Sequence, residues 1–184
     1  MRIIVFDIEI SIPVEEVAGG WEAARRGECG VSAVVLWDSE TDRYHIYGEE
    51  NLEACIEHIN CADLIVTFNG KNFDVPALEG FTGERIEVEH HYDILAEIWT
   101  ALDAKRHKGW GLGKVAFRTI GKMKTDTGEH APTLAREGRW ATLFDYCLND
   151  VALTKDLFEH IQQFGYVNDP DDMPLPLPSI EEID

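Results

Sequence analysis

Basic residues are scarce in this chain of 184 residues: sixteen Lys and Arg stand against thirty-five Asp and Glu, a formal net charge of -19 at pH 7. Such a chain is not a general coat for nucleic acid, nor does it suit an anionic membrane surface. Long apolar runs are missing too. No uncharged stretch approaches the roughly eighteen residues that a membrane span needs. Met1-Arg2-Ile3-Ile4-Val5-Phe6-Asp7 meets an acid within seven residues, so no secretory signal is expected there. The four cysteines (Cys29, Cys55, Cys61, Cys147) show no C-x-x-C and no zinc-type pairing with histidine. They read as reduced, mostly buried thiols, and the expected location is cytoplasmic. The seven histidines are scattered, and His90 and His91, adjacent on a strand, would face opposite ways, so no zinc site is expected. What is left, 45% hydrophobic and 28% charged, fits one folded domain with its own core.

The hydrophobic pattern predicts an α/β domain over 1–164. Ile3-Ile4-Val5-Phe6-Asp7-Ile8 has the near-continuous apolar character of a central strand. A loop with a short helix around Trp21 to Arg26 follows, then a hairpin of Val31 to Trp37 and Arg43 to Gly48. Leu52, Cys55, Ile56 and Ile59 have helical spacing, and Asp63 to Phe68 is a second buried strand ended by Asn69-Gly70. After a short helix from Asp74 and a fifth strand over Ile86 to Tyr92, helices are expected at Ile94 to Leu102, Leu112 to Ile120 and Arg139 to Phe164. Residues 165–184 hold four of the seven prolines and six acids without a base. They are expected to form an acidic tail without secondary structure.

The carboxylates carry the chemistry. Asp7 and Glu9 leave the same face of a strand that is otherwise apolar, where a bare charge is costly; the bland alternative is an edge pair facing water. Asp74 follows the second buried strand by a short turn, and before Val75-Pro76 it also reads as an ordinary helix cap. Asp150 borders the apolar stripe of the long helix, with Tyr146 one turn earlier on the same edge. Four carboxylates brought together would repel, and their pKa values would rise unless cations neutralise them. Two divalent ions do so while activating an attacking water and stabilising a leaving oxygen. All-oxygen ligands favour Mg²⁺ or Mn²⁺.

Phe6-Asp7-Ile8-Glu9, then Asn69-Gly70-Lys71-Asn72-Phe73-Asp74-Val75-Pro76-Ala77-Leu78, then Tyr146-Cys147-Leu148-Asn149-Asp150 resemble the three exonuclease motifs of the DEDD superfamily. The second and third are similar to those of the proofreading 3′–5′ exonuclease domain of family B DNA polymerases. The length resembles that of stand-alone YprB-like exonucleases of the ribonuclease H-like superfamily. The resemblance spans residues 1–164 in order and spacing. It implies a five-stranded mixed sheet of order 3-2-1-4-5 flanked by helices. It also implies that Asp7, Glu9 and Asp150 hold the ion carrying the nucleophilic water, and that Asp7 bridges to a second ion supported by Asp74. Tyr146 matches the tyrosine of the DEDDy branch; Asp145 stands where the DEDDh branch has histidine. Asn69 and Phe73 match positions near the scissile end, although Phe73 suits the core equally well. One departure is Ile10-Ser11-Ile12, where many relatives have a small or hydroxylated residue straight after the Glu.

Ala104 to Thr125 contains no acid but holds Lys105, Arg106, Lys108, Lys114, Arg118, Lys122 and Lys124. Lys105, Arg106, Lys108, Lys114 and Arg118 are the expected grip on a nucleic-acid backbone, with Lys114 and Arg118 at i, i+4; the alternative is a basic helix that only balances an acidic chain. Gly109-Trp110-Gly111-Leu112-Gly113-Lys114 is not a P-loop, because Lys108 replaces the first glycine and Val115 the magnesium-binding hydroxyl. The function expected from the resemblance is a metal-dependent 3′–5′ exonuclease acting on a single-stranded or frayed 3′ end, DNA ahead of RNA. The alternative is a catalytically silent module of the same fold that binds nucleic acid or a replication or repair protein, with the acidic tail as an interaction segment.

Overall fold

The computed structural model describes residues 1–103, 108–124 and 131–182. The N-terminal apolar run is β1 (Ile3–Glu9), followed by the short α1 (Gly20–Arg25) and the hairpin of β2 (Ala33–Asp38) and β3 (Arg43–Gly48). Then come α2 (Leu52–Ile59), β4 (Leu64–Thr67), α3 (Asp74–Thr82) and β5 (His90–Asp93). The five strands form one sheet in the order β3-β2-β1-β4-β5. β1 is antiparallel to β2, and β2 to β3, whereas β1–β4 and β4–β5 are parallel. Parallel neighbours need crossovers, which α2 and α3 supply. This is the sheet and strand order that the resemblance implies.

β5 is shorter than expected. Only His90–Asp93 find partners on β4, which is itself four residues long, so Ile86 to Glu89 stay outside the ladder. Asp93 caps the next helix, α4 (Ile94–Ala101): its side chain accepts from the amides of Leu95 and Ala96. α5 (Leu112–Ile120), α6 (Ala131–Arg136) and the 25-residue α7 (Trp140–Phe164) follow.

Strand alternation divides the core. Ile4, Phe6 and Ile8 point to the layer containing α2 and α3, packing with Leu52, Cys55, Ile56, Ile59 and Leu78. Val5 points the other way, into the layer of Val115, Cys147, Val151, Leu157 and Phe158 from α5 and α7. Asp7 and Glu9 share the face of Val5, so the pleat alone aims both carboxylates at α7. On the other layer α1 meets α3 closely. A Cβ on Gly80 would come within 2.4 Å of the Arg26 carbonyl carbon, so only glycine permits this approach.

The last residues are not an extended tail, which corrects the expectation from composition. Beyond Gly165, whose φ of 76° ends α7, β6 (Tyr166–Asn168) pairs antiparallel with β7 (Pro174–Pro176). Val167 and Leu177 are buried in the core of α5 and α7, the Tyr92 hydroxyl donates to the Pro178 carbonyl at 2.8 Å, and the Ile180 amide donates to Gln162 Oε1 at 2.9 Å. The alternation of apolar residues with proline explains this: Leu175 and Leu177 face the core, while the prolines lie on a strand that needs few donors. The described part of the segment thus spends its apolar side chains on the chain's own core.

A second network closes the other end of β1. Asp38 is fully buried and accepts from Arg2 Nε at 3.1 Å and Arg2 NH2 at 2.8 Å, with His58 Nε2 at 3.2 Å and the Tyr47 hydroxyl on His58 Nδ1 at 2.7 Å. Burial opposes the charge on Asp38, but the Arg2 guanidinium, the Glu40 amide and His58 hold its carboxyl down at about 2. Asp38, His45 and His58 bring ligand-type atoms within 4.8 Å, a gathering of histidines that their sequence spacing does not suggest. Arg2 NH2 already lies 3.1 Å from His58 Nε2, so a guanidinium takes the place a metal ion would need.

Candidate active site

The site lies where β1 outruns its parallel neighbour. β4 pairs only with Ile3 to Val5, which leaves the Ile8 amide without a ladder partner from β4. Asp74 supplies one: its Oδ1 accepts from that amide at 3.2 Å. The helix-cap alternative for Asp74 therefore fails. It is the first residue of α3, Phe73 is the cap position, and no side-chain cap bond is made. The loop that delivers Asp74 is pinned by Asp93, which accepts from the amides of Asn69 and Lys71 at 2.8 Å each. Asn69 turns with φ of 74°, and at Gly70 any Cβ would collide with Thr67.

α7 provides the opposite wall. Asp150 is buried, as are Glu9 and Asp74, while Asp7 and Tyr146 keep partial exposure. Ligand atoms of Asp7, Glu9 and Cys147 all lie within 4.8 Å of one another, and the Cys147 thiol donates to the Asp7 carbonyl at 3.4 Å. The structure thus brings Asp7, Glu9, Asp74 and Asp150 within electrostatic reach of one another, with Tyr146 beside Asp150 and Glu9. The mutual repulsion expected of such a set is present. Burial, then the charges of Asp74, Asp150 and Glu9, push the Asp7 carboxyl well above its usual range. Burial and Asp150 raise Glu9 to about 8, and burial raises Asp74 to about 7 against the Ile8 hydrogen bond. Burial also raises Asp150, opposed by Lys124. Burial keeps the Cys147 thiol protonated, and raises the Tyr146 hydroxyl despite nearby Lys124.

The donor set fits divalent cations. Among the described residues Asp150 Oδ1 is buried without a hydrogen-bond partner, an expensive arrangement unless something else is accommodated there. Three further carboxylates face the same space, and hard oxygen donors of this kind suit Mg²⁺ or Mn²⁺.

The expected nucleic-acid contacts divide. Asn69 is on the loop beside Asp74, and Phe73 is half-buried, packed edge-on against the exposed ring of Trp21 at 5.6 Å between centroids. Trp21 is an aromatic neighbour that no sequence pattern places there; it arrives on α1, held by Arg25 bonding Asn72. Lys108 and Lys114 are exposed. Arg118, expected beside them, is instead part of the fold: its guanidinium donates to the carbonyls of Gly109 at 3.0 Å and Asn168 at 3.3 Å and lies over Trp110. Lys105 and Arg106 lie outside the described residues. The missed residue is Lys124. Its ammonium lies 2.5 Å from Asp150 Oδ2 and 3.5 Å from the Tyr146 hydroxyl. The signal available was its place in the acid-free segment; nothing there distinguished it from its neighbours.

The sequence model of the RNase H superfamily matches residues 23–162. No curated protein matches the chain. Among solved structures, it is similar to the family B DNA polymerase from the hyperthermophilic archaeon Pyrobaculum calidifontis, with 18% identity and a TM-score of 0.66. The match covers 88% of this chain but 24% of the polymerase chain, so the likeness is to about a quarter of that enzyme and concerns the fold.

Proposed function

Because the chain belongs to the RNase H superfamily, we propose that it is a nuclease of the 3′–5′ exonuclease kind, depending on two divalent ions and shortening single-stranded or frayed strands, DNA ahead of RNA. The observation that carries this reading is the convergence of Asp7, Glu9, Asp74 and Asp150, with Asp150 Oδ1 buried and without a hydrogen-bond partner among the described residues.

Each residue then has a task that its position supports. Asp7, Glu9 and Asp150 would hold one ion; Asp7 and Asp74, already in contact, would hold the other. Such ions, when bound, acidify the attacking water and neutralise the oxygen that departs. Tyr146 is a poor base at neutral pH, and its hydroxyl orients the water in line with the scissile P–O3′ bond. That bond breaks as the new P–O bond forms, leaving a 3′-hydroxyl on the shortened strand and releasing a nucleoside 5′-monophosphate. Phe73 and Trp21 offer an aromatic face to the terminal base, indifferent to its identity. Lys108 and Lys114 face solvent as phosphate contacts on an otherwise acidic chain.

The test is end-labelled single-stranded DNA and RNA incubated with Mn²⁺, Mg²⁺ or EDTA, comparing wild type with Asp150→Ala. Stepwise 3′ shortening that requires both metal and Asp150 is the expected result. Binding of the oligonucleotide without shortening under any metal condition would favour the silent-module alternative and defeat this reading.

A further inference from the structure

A cavity of about 740 Å³ opens where β3 ends and α7 begins, lined by Ser32, Gly48, Glu49, Glu50, Trp140 and Phe144. The rings of Trp140 and Phe144 lie 6.4 Å apart and 29° from parallel, and Trp140 is 47% exposed. A second cavity, of about 320 Å³, shares Glu49 and Glu50 and adds Glu53 and the exposed Phe81. Two hollows with aromatic walls therefore meet at one pair of carboxylates.

Apart from the Trp140 indole, every polar side chain lining the first cavity among the described residues offers acceptors. Ser32, 2% exposed, spends its hydroxyl proton on the Glu9 carbonyl at 3.0 Å, which leaves only lone pairs for a guest. Thr82, in the second cavity, does the same toward the Leu78 carbonyl at 2.8 Å. No lysine or arginine among the described residues lines either hollow. Arg136 and Arg139, the bases nearest Trp140 along the chain, pair with Glu16 and Glu137. The helix dipole rewards acids at the start of α2 and would by itself account for Glu49, Glu50 and Glu53. It does not account for Trp140, Phe144 and Phe81, three rings left partly open to water around them.

A guest that donates without accepting and that favours aromatic faces is a cation with N–H groups. Arginine suits best, since its planar guanidinium stacks on rings while its fork matches a carboxylate. The phosphates of a nucleic acid would instead meet Glu49 and Glu50. We propose that the paired cavities dock an arginine-rich segment of a partner protein, one guanidinium against Trp140 and Phe144 and a second beside Phe81 and Glu53. The Ser32 amide and hydroxyl both bond the Glu9 carbonyl, so the wall of this dock is tied to the strand that carries the catalytic carboxylates. The partner brings positive charge beside them, on a chain whose own net charge is -19. Docking is independent of whether the chain cuts nucleic acid.

Fluorescence anisotropy of a fluorescein-labelled heptapeptide, arginine alternating with glycine, tests this with the full chain in EDTA and about 0.15 M salt. Trp140→Ala, which changes no charge, should weaken binding about tenfold. Trp140→Phe, which keeps a ring and guards against a folding defect, should weaken it by no more than about twofold. Glu49→Gln combined with Glu50→Gln should also cost about tenfold. Asp171→Asn with Asp172→Asn removes the same charge from the exposed β6–β7 turn, outside both cavities, and should leave affinity within about twofold. A peptide with lysine in place of arginine should bind more weakly. No binding to wild type, binding that ignores Trp140, or an equal loss on changing Asp171 and Asp172 would overturn the proposal, the last two as diffuse attraction to an acidic chain. So would a Trp140→Ala chain that keeps the peptide but loses a single-stranded oligothymidylate, which would give the aromatic wall to a nucleobase.

Discussion

Crowded carboxylates make the stability of the metal-free protein fall as pH rises, the reverse of the usual behaviour of paired acids. Glu9 is raised from its ordinary 4.5 to about 8, so between those values the folded state holds a proton that the unfolded chain has lost. Its contribution to stability is complete below the unfolded value and disappears as pH climbs through the folded one. The clean window is pH 6.5 to 8.5. His91, lowered to about 3 by burial, adds an opposing slope that is strongest at more acid pH; its unfolded imidazole, half protonated near 6.5, leaves about 0.4 kcal/mol of it above that value. Across that window Glu9 alone should cost about 2 kcal/mol, taking about 1.5 pH units at about 1.36 kcal/mol each. Asp7, raised for the same reasons, adds in the same direction. Urea melts followed by circular dichroism in EDTA should show the loss, and Glu9→Gln should remove the Glu9 share. Mn²⁺ at about a hundred times its Kd should flatten the slope and add about 2.7 kcal/mol by mass action. Stability in EDTA that stays level or rises from pH 6.5 to 8.5 would refute the idea that these acids are forced together.

Tyr146→Phe should slow strand shortening while leaving calorimetric Mn²⁺ affinity unchanged, because the hydroxyl orients water and holds no ion; an equal loss of metal affinity would contradict that role. Replacing Lys108 and Lys114 by alanine should reduce the slope of log affinity against log salt by about 1.4, at about 0.7 per phosphate contact on a single strand. A fluorescence titration over a salt series would read it, and an unchanged slope would take both lysines off the strand. Leu177→Ala should cost about 2–3 kcal/mol in urea melts, since its side chain is buried in the core it shares with residues of α4, α5 and α7; a neutral result would mean that the C-terminal hairpin does not hold in solution.

The sequence was informative wherever pattern and local chemistry decide the outcome. An apolar run carrying Asp7 and Glu9 pointed to a central strand with two acids on one face, ahead of an edge pair facing water, and the Asn69-Gly70 turn before Asp74 sets that acid at a strand end. The apolar stripe of α7 fixes which edge of that helix shows Tyr146 and Asp150. Composition misled at the C-terminus. Proline and acid were visible over 165–184, but the buried Val167 and Leu177 depend on a surface left open by α5 and α7, and no local signal reports that surface. Arg118 illustrates the same gap: its spacing from Lys114 is right for a shared helix face, yet the carbonyls of Gly109, nine residues before it, and Asn168, fifty residues after it, claim its guanidinium.

By itself, then, the sequence determined the strand order's ingredients, the identity of the acids and the order in which they come, because periodicity and turn chemistry act over a few residues. Only the tertiary structure decided what those acids meet. The exchange of ladder partners beyond β4 turned Asp74 toward Ile8, and Asp93 fixed the loop that carries it. The run past Gly113 brought the Lys124 ammonium onto Asp150. Such contacts join positions far apart along the chain, and their energies depend on burial and on the sum of surrounding charges, quantities that exist only once the layers have closed.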